Sequence, residues 1–498
     1  MKKSIVIFFF IIFFYLYKIG DIPNGLFADE AEIGYRSYQL IHGDSSFLVT
    51  PFFYHHFNYI LGALPIYATS PFIAMFGLSE FSVRFSSATY SILTLIIIYL
   101  IFKKLKITYI WQSILLFSFT PIYFHISRIN FGHMPSIFLL FLGYLLFLNL
   151  IEKPSIFLVI SSALIISISS YGYGTFMITS PIFMTLISIW HLFKYRHSVI
   201  RIKSIILFIA VFIIGFLPIP ITYFTNADFR IRINEKSGNK QESTYSKVLS
   251  VIKNYPKYYS IDYLFTKGEV DMPGGFVKRH SVQGNGILLL VSVIVFFGSF
   301  IHLARIKNKF DNPILLFLII LSIYPISDIL FTDLNKPPYT FAVFSLLTLC
   351  LPLLISYGFE GLFSRKYKII IYSINIIILI QAVLFLNNYY KYPLYSSDYW
   401  GWQYGPKEII SYFKENNKKY DELYMIGDFN APDIFKKFYD LENNCKNCFI
   451  GGKDRYDINK KQLFALTPTE LEKISWKYHI QKVIKYPNQR TAFIIIKH

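Results

Sequence analysis

Apolar runs of about 20 residues, the length that crosses a bilayer core, recur along the chain with short polar breaks between them. Eleven such runs lie near 4–20, 84–102, 109–125, 134–151, 155–171, 175–193, 203–223, 284–304, 313–331, 339–360 and 368–387. A further apolar stretch, 59–78, is interrupted by Pro65 and Pro71. Each proline removes a helical hydrogen bond, so this stretch reads as an interfacial or re-entrant helix. Three segments are too polar to span: 21–58, 224–283 and 388–498. Within the last, 406–418 and 431–439 are patterned as helices, Glu422 to Gly427 as a buried strand and Ala492 to Ile496 as a closing strand. The pattern predicts an α-helical polytopic membrane protein in two parts. Residues 1–387 form a transmembrane module with outer loops 21–83 and 224–283, and 388–498 form a small extracytoplasmic α/β domain.

Composition agrees with that class. Hydrophobic residues make up 54% and charged residues 16%, against about 25% charged in soluble domains. This excludes disorder and a single soluble core. The net charge of +19 would suit nucleic acid, but the basic residues cluster beside the apolar runs. With the N-terminus in the cytoplasm, the short inner segments carry sixteen Lys and Arg and the outer ones four: Arg36, Arg84, Arg128 and Lys336. That is the positive-inside distribution. The excess charge therefore belongs to the lipid bilayer and not to nucleic acid, and the protein is expected as a multi-pass protein of the cell membrane with its C-terminal domain outside. Lys2 and Lys3 precede an apolar run with no small-residue cleavage site, which reads as an uncleaved first helix. Cys445 and Cys448 form a C-x-x-C pair without the second pair that zinc needs, and a local disulfide is expected there. Cys350 lies within a span and reads as a small packing residue.

Few ionisable groups fall deep within the spans; Asp328 comes nearest, close to a span end. Ion-coupled transporters place such groups at mid-membrane, so the chemistry is expected in the outer loops. The densest carboxylate cluster there is Asp29, Glu30 and Glu32. As a helix start, Asp29 is a good N-cap, Glu32 at N3 makes an acidic capping box and Glu30 complements the dipole. The same placement keeps a carboxylate ionised and ready to accept a hydroxyl proton. Adjacent acids also suit a divalent metal cation beside a phosphate leaving group. The two readings are compatible.

Longer motifs carry a resemblance. The segments are Pro23 to Ala31, containing Asp29-Glu30; Phe57 to Tyr67; Phe76-Gly77-Leu-Ser-Glu80-Phe-Ser-Val-Arg84; His125-Ile-Ser-Arg128-Ile-Asn-Phe131; Tyr171-Gly-Tyr173; Phe265-Thr-Lys-Gly268-Glu269 with Arg279-His280; and Trp402-Gln-Tyr-Gly405-Pro-Lys-Glu408. Together they resemble the GT-C membrane glycosyltransferases of the protein-mannosyltransferase-like and Rgt-like group. The resemblance implies transfer of a hexosyl or pentosyl unit from a polyprenyl-phosphate donor to a lipid, glycan or protein acceptor on the outer face. It implies Asp29 as general base, with Glu30 supporting it or binding a cation. Two departures stand out. The acid that many relatives carry after the Ser-Arg segment is replaced by Phe131-Gly132-His133-Met134, and the loop before the tenth span offers Lys336 where relatives often have Arg. Lys meets phosphate as a point charge, without the fork of Arg.

The candidate site residues follow. Asp29 and Glu30 are catalytic candidates; Arg84, Arg128, Arg279 and Lys336 are donor-phosphate candidates, with headgroup snorkelling the alternative for Arg84 and Arg128. Tyr171, Tyr173, Glu80 and His280 are substrate candidates, with the interfacial aromatic belt the alternative for the tyrosines. His56, beside His55, is a metal candidate or simply interfacial. The expected function is an inverting glycosyltransferase of cell-envelope glycan. The competing classes are a transporter or flippase of lipid-linked glycan and a catalytically dead relative.

Overall fold

In the computed structural model, residues 2–57, 59–236, 249, 252–275, 277–307, 312–329, 337–363 and 368–498 are described. The chain is mostly helical. In order it runs α1 (Lys2–Leu16), α2 (Ala28–Ile41), a hairpin sheet β1 (Leu48–Thr50), β2 (Phe53–His56) and β3 (Tyr59–Gly62), α3 (Leu64–Phe76), α4 (Glu80–Lys104), α5 (Ile110–Ser118), α6 (Pro121–Ser127), α7 (His133–Glu152), α8 (Ile156–Ile168), α9 (Phe176–Lys194), α10 (Val199–Phe216), α11 (Pro218–Thr225) and α12 (Ala227–Lys236). The described residues that follow include helical turns at Tyr255–Tyr259 and Asp262–Thr266; then come α13 (Ser292–Arg305), α14 (Ile314–Ile323), α15 (Ile326–Ile329), α16 (Thr340–Leu362) and α17 (Lys368–Lys391).

Among the described residues, six helices are long and apolar enough to cross a membrane: 80–104, 133–152, 176–194, 199–225, 340–362 and 371–391. The other five expected spans are apolar helices that are shorter or broken. The run 109–125 breaks at Pro121 and the run 313–331 at Pro325, where a ring in place of an N–H cannot continue the helix. The stretch 59–78 divides into strand β3 and the 13-residue α3, which at 1.5 Å per residue reaches only about 20 Å. Helix α16 is the axis of the bundle, buried along its whole apolar window.

The C-terminal part holds β4 (Ser397–Asp398), β5 (Trp402–Gln403), helix α19 (Pro406–Asn416), β6 (Glu422–Met425), α20 (Pro432–Tyr439), β7 (Cys448–Ile450), β8 (Gln462–Leu466), β9 (His479–Lys485) and β10 (Thr491–Lys497), with the one-turn α18 (Pro393–Ser396) before them. Its main sheet has the order β7-β6-β8-β10-β9, parallel across β7, β6 and β8 and antiparallel beyond. The expected helices and the strands β6 and β10 fall where the pattern placed them, and Cys445 and Cys448 are disulfide-bonded.

The hydrophobic cores decide how the two parts meet. One core joins the membrane helices and ends at Trp402. The second joins the sheet domain to Leu26, Ala28 and Ala31 around the start of α2, and to Ile73 and Val83. Helix α2 is therefore built into the C-terminal sheet domain as well as against α3 and α4 of the bundle. Gly34 makes this packing close: a Cβ there would lie 2.9 Å from Phe438 and 2.6 Å from Val83.

Candidate active site

Helix α2 begins at Ala28. Its N-cap is Phe27, so Asp29 is the second helical residue and Glu30 the third. The expected capping register is thus shifted by two residues. The reason lies far along the chain: Gln403 Oε1 accepts the Ala28 N–H at 3.0 Å, a cap that local spacing cannot reveal. The same Gln403 donates through Nε2 to Asn430 O at 2.8 Å.

Glu30 is fully buried. It accepts from Arg84 through Nε and Nη2, both at 2.9 Å, from the Asn130 N–H at 3.1 Å and from the Phe27 N–H at 3.4 Å. Arg84, equally buried, also donates to Pro23 O and Gly25 O at 2.6 Å. Charge-assisted bonds of this bidentate kind are strong and directional. Glu30 and Arg84 together fix the turn that leads into α2.

Asp29 presents a side chain one-third exposed, its Oδ1 3.5 Å from His56 Nε2. Its charge is felt at His280, as is that of Arg279. His280 is buried and held through Nδ1 by Glu269 Oε1 at 2.5 Å, while Glu269 Oε2 accepts the first N–H of α16, from Thr340, at 2.7 Å. Burial pushes the His280 imidazole below its ordinary value, with Glu269 opposing, so the ring is neutral near pH 7. Tyr339 stands edge-on to His280 at 4.7 Å between ring centres and meets the Tyr173 hydroxyl at 3.0 Å. The His133 ring stacks on Tyr173 at 4.0 Å. These contacts bring together Asp29, His56, Tyr173, Arg279, His280 and Glu269.

The four phosphate candidates divide. The guanidinium of Arg128 is buried and donates to four carbonyls, of Phe14, Tyr15, Tyr17 and Ile22. Arg84 is occupied as above. Both serve as internal ties and neither snorkels. Lys336 lies outside the described residues. Arg279 is only partly buried; its guanidinium lies 3.7 Å over the Phe27 ring and makes one hydrogen bond, from Nη1 to Trp400 O at 2.9 Å.

Two substrate candidates stand apart from Asp29. Tyr171 packs in a satellite core with Phe53, Ile219 and Phe229 and donates to Gly215 O at 2.6 Å. Glu80 binds Lys407 at 2.8 Å and accepts from the Tyr439 hydroxyl at 3.1 Å, which docks the C-terminal domain onto the start of α4. His55 is exposed.

Among the described residues no three His, Cys, Asp or Glu side chains are grouped to hold a metal. The Glu30 oxygens are turned onto Arg84, and His56 has Tyr54 at its other nitrogen. Asn130, Tyr339, Trp400 and Gln403 had no role in the local reading, although Asn130 and Gln403 fall within the quoted motifs; their contacts bridge 100 positions from Asn130 to Glu30, 166 from Tyr339 to Tyr173, 121 from Trp400 to Arg279 and 375 from Gln403 to Ala28.

The comparisons can be set beside this geometry. Residues 4–235 match the family profile described as dolichyl-phosphate-mannose-protein mannosyltransferase. The whole chain superposes on crystal structures of ArnT from Cupriavidus metallidurans. For the apo form the TM-score is 0.50 at 10% identity, and for the form bound to undecaprenyl phosphate it is 0.53 at 9%. In both cases 100% of this chain and 98% of that one are covered. The chain has the fold of the GT-C glycosyltransferases. No curated protein sequence matches it. The superposition extends over both parts of the chain, the C-terminal sheet domain included, and the mannosyltransferase profile covers the first part, from α1 into α12.

Proposed function

We propose that this GT-C protein transfers a hexosyl or pentosyl unit from a polyprenyl phosphate to a lipid, glycan or protein acceptor at the outer membrane face, with inversion at the anomeric carbon. The observation that carries the reading is a partly exposed carboxylate, Asp29, at the start of α2 next to Phe27, the ring over which the partly buried Arg279 guanidinium lies at 3.7 Å, with both charges acting on His280. The acceptor O–H gives its proton to Asp29 as its oxygen bonds the anomeric carbon. The bond from that carbon to the phosphate oxygen breaks, and the electron pair leaves with the polyprenyl phosphate. Arg279 faces the growing negative charge, as electrostatic stabilisation requires. The neutral His280 and the Tyr173–Tyr339 pair offer hydrogen-bonding groups to sugar hydroxyls. Holding donor and acceptor together contributes the rest.

Three features support this reading over a transporter. The first is the GT-C fold itself, with the ArnT structure in complex with undecaprenyl phosphate. The second is that Asp29 and the outer domain lie at one end of the bundle, where Gln403 reaches Ala28. The third is that the basic ends Lys103 and Lys104 close the far end of the 25-residue α4, about 37 Å away at 1.5 Å per residue. The charge count supports a cytoplasmic position for that far end.

The test is transfer of labelled sugar from a panel of polyprenyl-phosphate sugars in membranes. Asp29→Asn is expected to fold and to lose at least about 100-fold in rate. Full activity in that variant overturns the role of Asp29.

A further inference from the structure

The sequence pattern leaves His56 between a metal ligand and an interfacial residue. The geometry assigns it a third role: we infer that His56, oriented by Tyr54, positions the Asp29 carboxylate for proton abstraction. This rests on the reading of Asp29 as the base.

Tyr54 and His56 are two apart on strand β2, so their side chains leave the same face. Both are buried, at 2% and 6% exposure. The Tyr54 hydroxyl meets His56 Nδ1 at 3.0 Å, and His56 Nε2 meets Asp29 Oδ1 at 3.5 Å. The proton positions follow from satisfying every buried group. The Tyr54 hydroxyl has no other hydrogen-bond partner among the described residues. If His56 Nδ1 carried the proton, the buried Tyr54 O–H would have no acceptor. The arrangement that leaves nothing unpaired has Tyr54 O–H donating to Nδ1, which puts the ring proton on Nε2, facing Asp29. Burial also pushes the Tyr54 phenol well above its ordinary value, so it remains a donor.

An N–H on the ring nitrogen 3.5 Å from one carboxylate oxygen restrains rotation of the carboxylate, so that the acceptor hydroxyl meets an oxygen in one place. The 3.5 Å separation is long for a hydrogen bond, as such contacts are before substrate closes the site. The imidazole cannot offer a lone pair to a cation in this tautomer, because Nδ1 is taken by Tyr54 and Nε2 is protonated. His56 therefore acts through Asp29 and is a positioning residue.

The test compares His56→Met with His56→Gln, two side chains of similar length of which only Gln offers an N–H. Labelled-sugar transfer by the full-length protein in membranes is measured over a range of donor concentrations, with and without EDTA. His56→Met is expected to lose about 10- to 100-fold in kcat, the value of one hydrogen bond to a charged group, with the donor KM unchanged. His56→Gln is expected to recover most of that loss, and Tyr54→Phe to lose less than His56→Met. Asp29→Asn/His56→Met is expected to be no slower than Asp29→Asn, since groups acting as a unit are not additive. Equal rates for Met and Gln, or a loss seen only in KM, overturn the inference. So does a wild-type activity abolished by EDTA and restored by a divalent cation only while His56 is present. If Asp29→Asn itself remains active, the base assignment has failed; if Asp29→Asn is inactive while His56→Met keeps the wild-type rate, only the positioning role has failed.

Discussion

Replacing Arg84 by Met removes a guanidinium from a site with no solvent contact. In the native protein this group makes four hydrogen bonds between 2.6 and 2.9 Å, two to Glu30 and one each to Pro23 O and Gly25 O. After the change Glu30 keeps only the Asn130 and Phe27 amides, at 3.1 and 3.4 Å. Its charge is then buried without a counter-ion, and two carbonyls lose their donor. Breaking one side of a buried pair costs about 3–5 kcal/mol. The double variant Arg84→Met/Glu30→Gln removes the charge from both sides, so it should be destabilised by less than the sum of the single changes. A coupling of about 2–3 kcal/mol is expected. The assay is denaturant unfolding of the detergent-solubilised protein for wild type, both single variants and the double variant. Transfer activity is measured well below each melting temperature, because a loosened α2 should misplace Asp29 before the protein unfolds. Wild-type stability in Arg84→Met, or simple additivity in the double variant, refutes the pair as the anchor of α2.

Gly62→Val should disrupt the hairpin, because a Cβ at Gly62 would lie 2.1 Å from Tyr171 O and a backbone atom cannot turn aside; a loss of at least about 1–3 kcal/mol is expected, read as a lower melting temperature. Burial lowers the His280 pKa from 6.5, so below about pH 6.5 the unfolded chain binds a proton that the folded chain resists. Stability from this group is complete above that pH and is lost as pH falls toward the folded value. A melting series from pH 7.5 to 5 should show this slope, and His280→Gln should flatten it. Lys407→Ala removes an ion pair whose lysine is 57% exposed, so unfolding energies should change by less than about 1 kcal/mol.

The membrane pattern was legible because hydrophobicity over 20 residues is a local property. The strand–helix alternation around Glu422 and Pro432 was legible for the same reason. The span interruptions at Pro121 and Pro325 were written in the sequence, yet a hydropathy window averages across a single ring. The site was legible only in part. Asp29 and Glu30 stood out as a cluster, but their division of labour depends on Arg84, 54 positions away in the chain from Glu30. Arg84 and Arg128 looked like ligand groups because an arginine at a span end commonly meets phosphate or headgroups. Folding instead surrounds each with backbone carbonyls. Gln403 was invisible as a cap because its partner is 375 positions away.

Helix α2 takes its apolar cover from a core that also contains β8 and β10. Leu26, Ala28 and Ala31 share it with Phe493 and Ile495, more than 460 positions later, so the turn that carries Asp29 completes its packing only once the C-terminal sheet has formed.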